Sequence, residues 1–228
     1  MSDAVRPAGF ASILKVWFAE YGRDLPWRNN PDPYKVWVSE IILQQTRVAQ
    51  GMPYYLNFVE RFPTVADLAN APLDDVMKAW QGLGYYTRAR NLHRAAKMVM
   101  EDYGGELPRT YAELLKLPGL GPYAAAAVAS FAFHEAVPAI DGNVYRVLAR
   151  VYGIFEQSGK AEGKKLFWKL AEDIIDRDEP HVFNQAIIDF GALQCTPGMP
   201  DCPPCPFSGQ CYAEANGLLV GATCISSC

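Results

Sequence analysis

Apolar residues recur at three- and four-residue spacing along almost the whole chain, and no alternating apolar–polar run bounded by turn residues interrupts the pattern. Such a period gathers side chains on one side of a helix, so the chain is expected to be all-α. Helices are predicted from about Phe10 to Tyr21, Tyr34 to Gln50, Pro53 to Arg61, Thr64 to Ala69, Leu73 to Gln81, Tyr85 to Tyr103, Thr110 to Lys116, Gly121 to Phe133, Gly142 to Tyr152, Ala161 to Ile175 and His181 to Gln194. Turn residues separate them at Asn29 to Pro33, Gly82 to Gly84, Gly104-Gly105 and Pro118 to Pro122. With 228 residues, 50% of them hydrophobic, the chain can fill one large domain or two small lobes.

The same composition limits the function classes. No apolar run approaches the roughly 18 residues of a membrane span, the longest being Tyr123 to Phe133. Met1 to Phe10 lacks a basic start followed by an apolar core, so a soluble, cytoplasmic protein with reduced thiols is expected. A net charge of −4 argues against nucleic-acid binding when taken as a sum. Its distribution points the other way, because Arg88, Arg90, Arg94 and Lys97 share a stretch without an acid. A solvated helix face explains that stretch equally well.

Cys195, Cys202, Cys205 and Cys211 form a C-x6-C-x2-C-x5-C frame with no cysteine before it. Four soft ligands in so short a span, with no histidine among them, suit an iron–sulfur cluster or a structural zinc. Zinc sites commonly pair C-x2-C twice, and only Cys202 and Cys205 have that spacing, so a [4Fe-4S] cluster is the favoured cofactor. Cys224 and Cys228 lie in an aperiodic tail, 218–228, expected to be disordered.

Three further features carry chemistry. In Leu117-Pro118-Gly119-Leu120-Gly121 a proline ends one helix, and two glycines permit a tight turn whose N–H groups can meet a phosphate at the start of the next. An ordinary helix corner is the alternative. Glu40 sits beside an apolar stripe, with Val36 and Trp37 one turn back and Leu43 one turn on, where its charged form is disfavoured and its acidity falls. Asp141 follows the extended Val137 to Ile140 and precedes a helix, so it is predicted as an N-cap held ionised by backbone N–H groups and the helix dipole. Two carboxyls driven apart in this way are what cleavage of a glycosidic bond needs.

LPGLGPY, the aspartate of IDGNVYRV and the cysteine frame together resemble the helix-hairpin-helix DNA glycosylases that carry an iron–sulfur cluster, over about Phe10 to Gly217. GRDLPWR, SEIILQQT and GLGYYTRARNL look like the MutY-type adenine glycosylases within it. The resemblance implies a six-helix barrel over 22–134 and a cluster lobe from 1–21 and 135–217. It implies that Glu40 and Asp141 are the catalytic acid and stabilising carboxylate, oriented by Tyr123 and Asn143. Arg23, Leu25, Trp27, Arg28 and Gln185 would line the adenine pocket, Gln45 and Tyr85 would enter the base stack, and Arg88, Leu117, Gly119 and Gly121 would contact DNA. The implied partner is double-stranded DNA with adenine mispaired with 8-oxoguanine or guanine, bound by a monomer. Endonuclease III relatives carry lysine at position 123, and a phenol cannot form a Schiff base, so a monofunctional enzyme is expected. Tyr145 likewise stands where some adenine glycosylases have lysine.

Two departures bear on that resemblance. The loop Thr196 to Asp201 has no lysine or arginine where relatives meet phosphate. The chain also ends shortly after the cysteines, without room for the domain with which MutY proteins recognise 8-oxoguanine. Thymine-guanine mismatch glycosylases of the same family are short and also carry tyrosine at position 123, which keeps them as an alternative. A non-catalytic DNA-binding or electron-carrying iron–sulfur protein is another, although it has no use for paired Glu40 and Asp141.

Overall fold

The computed structural model describes residues 7, 9–29 and 31–218; Cys224 and Cys228 lie outside them. The described residues form helices and no strands, as the apolar period requires. They divide into two compact units, one built from the residues up to Arg23 together with those from Ala136 onward, the other from Asp24–Glu135.

The second unit holds α2 (Pro26–Asn29), α3 (Pro33–Leu43), α4 (Val48–Arg61), α5 (Val65–Asn70), α6 (Leu73–Ala79), α7 (Thr87–Asp102), α8 (Tyr111–Leu114) and α9 (Pro122–Phe133). Its centre is the packing of α3 on α9. Ala124 to Phe131 are all buried, and Tyr34 and Val36 to Ile42 are buried on the partner helix, so small side chains on α9 leave room for the bulkier residues of α3. Short polar caps set where these helices begin. The Asp32 carboxylate accepts from the Lys35 N–H at α3, and Thr64 and Asp67 form a reciprocal capping box at α5.

Three predicted boundaries near left-handed residues move here. The helix expected from Tyr34 to Gln50 ends at Leu43, because Gln45 has φ 57° and breaks the helical path. The next helix then starts at Val48 and carries Pro53 inside it, upstream of the predicted start. Gly51 makes that path possible: a Cβ there would stand 2.8 Å from Leu43 Cδ2. Tyr85, at φ 47°, similarly delays α7 to Thr87.

The first unit holds α1 (Phe10–Tyr21), α10 (Gly142–Tyr152), α11 (Ala161–Ile174), α12 (Pro180–Leu193) and α13 (Tyr212–Ala215). Helices α1 and α10 both pack on α12, and α13 packs on α10. Phe10 stacks on Phe207 with ring centroids 4.9 Å apart, and Phe190 meets Phe207 edge-on at 5.4 Å, so segments on either side of Asp24–Glu135 share one aromatic core. The short helices α2 and α13 escaped prediction, since four residues are too few to show a period.

Candidate active site

Within the first unit, buried Asn184 on α12 donates to the Val137 carbonyl and accepts from the Ala139 N–H, which holds the extended segment before α10 in place. Asp141 then caps α10 as predicted: Oδ1 accepts from the Val144 N–H at 2.9 Å, and Oδ2 accepts from Asn143 Nδ2 at 2.8 Å. Asn143 Oδ1 accepts in turn from Arg146, whose guanidinium also donates to the carbonyls of Cys195 and Gly191. Asp141 and Asn143 are thus brought together, and one arginine joins them to the first cysteine of the frame.

One expectation about Asp141 needs correction. Burial pushes its carboxyl above the usual carboxylate range, against the opposing pull of the Val144 and Asn143 hydrogen bonds and the Arg146 charge. Capping was legible in the sequence, whereas the burial of the carboxyl was not. Gly191 lets α12 approach so closely that a Cβ there would lie 2.6 Å from the Asn143 Cβ.

Farther along α12, Asp189 is completely buried and receives Arg23 through the Arg23 backbone N–H and Nε, both at 2.9 Å, and through Nη2. Gln185, 9% exposed, lies one turn before Asp189, so Arg23 and Gln185 belong to the same polar region of this unit. Asp189, Arg146 and Arg150 were all missed. Their signal was polar residues at i, i+4 on the apolar sides of amphipathic helices, Gln185 to Asp189 and Arg146 to Arg150.

The four thiols of the frame line one cavity beside Arg150 and Phe207. Arg150 comes within 3.4 Å of Cys195 Sγ and donates to the carbonyls of Thr196 and Gly198 at 2.8 and 3.1 Å. The loop, which has no lysine or arginine of its own, is therefore held by an arginine of α10. Burial raises the thiols of Cys202 and Cys211 and pushes Cys205 up to about 12. Thiolates here need added positive charge, which a metal centre supplies. Among the described residues, no three His, Cys, Asp or Glu side chains are grouped so as to hold one metal ion.

In the second unit, Glu40 is 7% exposed on α3 between buried Val36, Trp37 and Ile41, and Tyr123 is half-buried in the first turn of α9. Leu25 and Trp27 are core residues, the Trp27 ring packing 4.8 Å from that of Tyr55, while Arg28 is half-buried. The hairpin between α8 and α9 turns at Gly119, whose φ of 87° suits glycine and whose Cβ would meet Asn91 Cβ at 2.8 Å. Gly119 and Gly121 are exposed, but Leu117 is 2% exposed, so its side chain anchors the turn and leaves only its backbone near the surface. Gln45 and Tyr85 both project from left-handed backbone, Tyr85 being 63% exposed. Arg88 departs from its basic neighbours. Arg90, Arg94 and Lys97 are exposed along α7, whereas the Arg88 guanidinium turns inward to the carbonyls of Ile41, Ile42, Gln44 and Gly84.

Residues 38–173 match the profile of the HhH-GPD superfamily base excision DNA repair proteins, a span that takes in Glu40, the hairpin and Asp141. The chain belongs to this superfamily. It is 44% identical over 216 residues to an adenine DNA glycosylase of Buchnera aphidicola subsp. Baizongia pistaciae, covering 94% of this chain and 61% of that protein. It is 40% identical to the human adenine DNA glycosylase, covering 99% of this chain and 45% of the relative. The chain thus spans about half the length of these curated relatives. Among solved structures, a thermostable thymine-DNA glycosylase superposes with TM-score 0.84 at 31% identity, covering 91% of this chain and 95% of that one. Endonuclease III in a non-covalent DNA complex does so at 0.77 and 27%, covering 91% and 94%. The two-lobed HhH-GPD fold expected from the motifs is therefore the fold found.

Proposed function

We propose that this chain is a monofunctional DNA glycosylase that hydrolyses the N-glycosidic bond of adenine mispaired with 8-oxoguanine or guanine in duplex DNA, acting as a monomer. The observation that carries the reading is the Asp141 carboxylate, fixed by the Val144 N–H and by Asn143 at the start of α10, in a chain 40–44% identical to adenine glycosylases. The target nucleotide must leave the stack before its reactive atoms can be reached. Glu40, buried on α3, donates a proton to the departing adenine at its five-membered ring. Asp141 stabilises the cationic sugar as the bond breaks, and Asn143 keeps its second oxygen oriented. Water completes hydrolysis. Tyr123 offers no amine for attack on the sugar, so the product is an abasic site with its strand intact.

Arg23, Leu25, Trp27, Arg28 and Gln185 are the proposed surroundings of the adenine, with Gln45 and Tyr85 in the stack. The exposed Gly119–Gly121 turn and the Arg90, Arg94 and Lys97 face of α7 are suited to phosphates. The donor set of Cys195, Cys202, Cys205 and Cys211 suits a [4Fe-4S] cluster, because four thiols line one cavity and no histidine stands among them in the sequence. A cluster bound there would cross-link the segment from Cys195 to Cys211 and supply the charge that its buried thiolates lack.

A second reading, removal of thymine opposite guanine, is favoured by the superposition on the thymine-DNA glycosylase. One assay separates the two. Duplexes carrying adenine opposite 8-oxoguanine, adenine opposite guanine, or thymine opposite guanine are incubated with the purified protein and developed with and without hot alkali. Alkali-dependent cleavage at adenine is expected. Cleavage at thymine alone would transfer the assignment to the second reading, and cleavage without alkali would refute the role given to Tyr123.

A further inference from the structure

Among the described residues, three that are not glycine have positive φ: Gln45, Tyr85 and His134. His134 closes α9, where left-handed backbone is common. Gln45 and Tyr85 lie in two different loops, and each exposes its side chain. Glycine would relieve the backbone at both places, and the chain uses it close by at Gly82 and Gly84. Keeping side chains there points to a use for the side chains themselves.

A single guanidinium connects the two loops. Arg88 Nη1 donates to the carbonyls of Ile41 at 3.0 Å and Ile42 at 2.9 Å, to that of Gln44, and to Thr46 Oγ1 at 3.5 Å. Nη2 donates to the Gly84 carbonyl at 3.3 Å, which also accepts from Trp80 Nε1 at 3.0 Å. The cation lies over the rings of Trp80 and Tyr85, 5.4 Å from each centroid. Ile41 and Ile42 belong to the last turn of α3, whose carbonyls lack helical partners, so a half-buried cation there both satisfies them and complements the helix end. The residues before Gln45 and before Tyr85 are therefore fastened to one planar group.

We propose that Arg88 is a positioning residue, setting Gln45 and Tyr85 as a matched pair of stack-entering side chains, and that it makes no phosphate contact. The inference rests on the reading that Gln45 and Tyr85 enter the duplex. Lysine cannot reproduce the fork, since it offers one compact charge in place of a planar set of donors.

The test uses Arg88→Lys and Arg88→Met in the full chain. Hydrogen–deuterium exchange of the free protein is expected to rise about tenfold in residues 44–48 and 83–87 together, with other segments little changed. The salt dependence of duplex binding by Arg88→Met should keep the wild-type slope, whereas loss of a phosphate contact would lower it by about 0.9. Single-turnover base removal should fall about thirtyfold in Arg88→Lys, yet within about twofold of its parent when the lysine is placed in a Gln45→Ala/Tyr85→Ala background. The proposal is overturned by unchanged exchange in either loop, by a reduced salt slope, or by an undiminished lysine penalty in that background. Failure of the wild-type protein to remove any base would sink the glycosylase reading instead, and the exchange measurement would still decide the brace.

Discussion

The two units achieve order by opposite means. Asp24–Glu135 is organised around α9, a helix of small apolar residues pressed against α3, and its buried polar residues are Ser39, Glu40, His93 and Ser130. The other unit buries Arg146, Arg150, Asn184, Gln185 and Asp189; the two arginines and Asn184 donate to backbone carbonyls, and Asp189 accepts from Arg23. Close apolar packing punishes added volume, whereas a buried polar network punishes a missing partner. The proposed acid of the reaction thus sits in the first kind of surroundings and the proposed stabilising carboxylate in the second.

The contrast is broken most severely by Arg146→Met, which strips donors from the Cys195 and Gly191 carbonyls and from Asn143. A loss of about 3 kcal/mol is expected in urea unfolding, accompanied by faster exchange at Cys195 and at the start of α10. Ala126→Leu tests the opposite unit: overfilling the α3–α9 contact should cost about 2 kcal/mol and leave exchange around the cysteines unchanged. Gly119→Ala combines left-handed strain with a clash against Asn91, for about 1.5 kcal/mol by thermal unfolding and weaker duplex binding.

Smaller effects sharpen the picture. Thr64→Ala removes half of a capping box and should cost about 1 kcal/mol, read as a lower Tm. Asp141→Asn probes how burial acts on the polar side. Because the folded carboxyl binds its proton more tightly than the unfolded one, wild-type stability should fall as pH rises from the ordinary carboxylate value through the raised folded one. The asparagine variant lacks that slope, so its stability relative to wild type should improve with pH in titrations of unfolding free energy, while base removal is lost.

What the sequence made legible follows from what is local. The long helices, the Asp141 cap, the hairpin turn and the shared cavity of the cysteines all arise from patterns within a few residues of one another. The helix drawn through Gln45 shows the limit, since only the close approach of α4 at Gly51 and the left-handed Gln45 reveal the break. Arg88 looked like part of a basic face because its neighbours are. Its inward course depends on carbonyls more than forty positions away, at Ile41 and Ile42. The rise at Asp141 likewise comes from burial, which no local pattern near Asp141 announces.

Finally, α1 packs against α12, so a helix made before Asp24–Glu135 completes a unit whose other described helices are made after it. Asp24–Glu135 lies wholly between them in synthesis order. On a ribosome it can therefore reach its fold while α1 still waits, with Phe10 and Trp17 uncovered, for α12 and Phe207 to emerge. Any delay between the synthesis of α1 and that of α12 leaves that apolar face of α1 open to chaperones or to aggregation, which makes the maturation of this unit a vulnerable stage of the protein's birth.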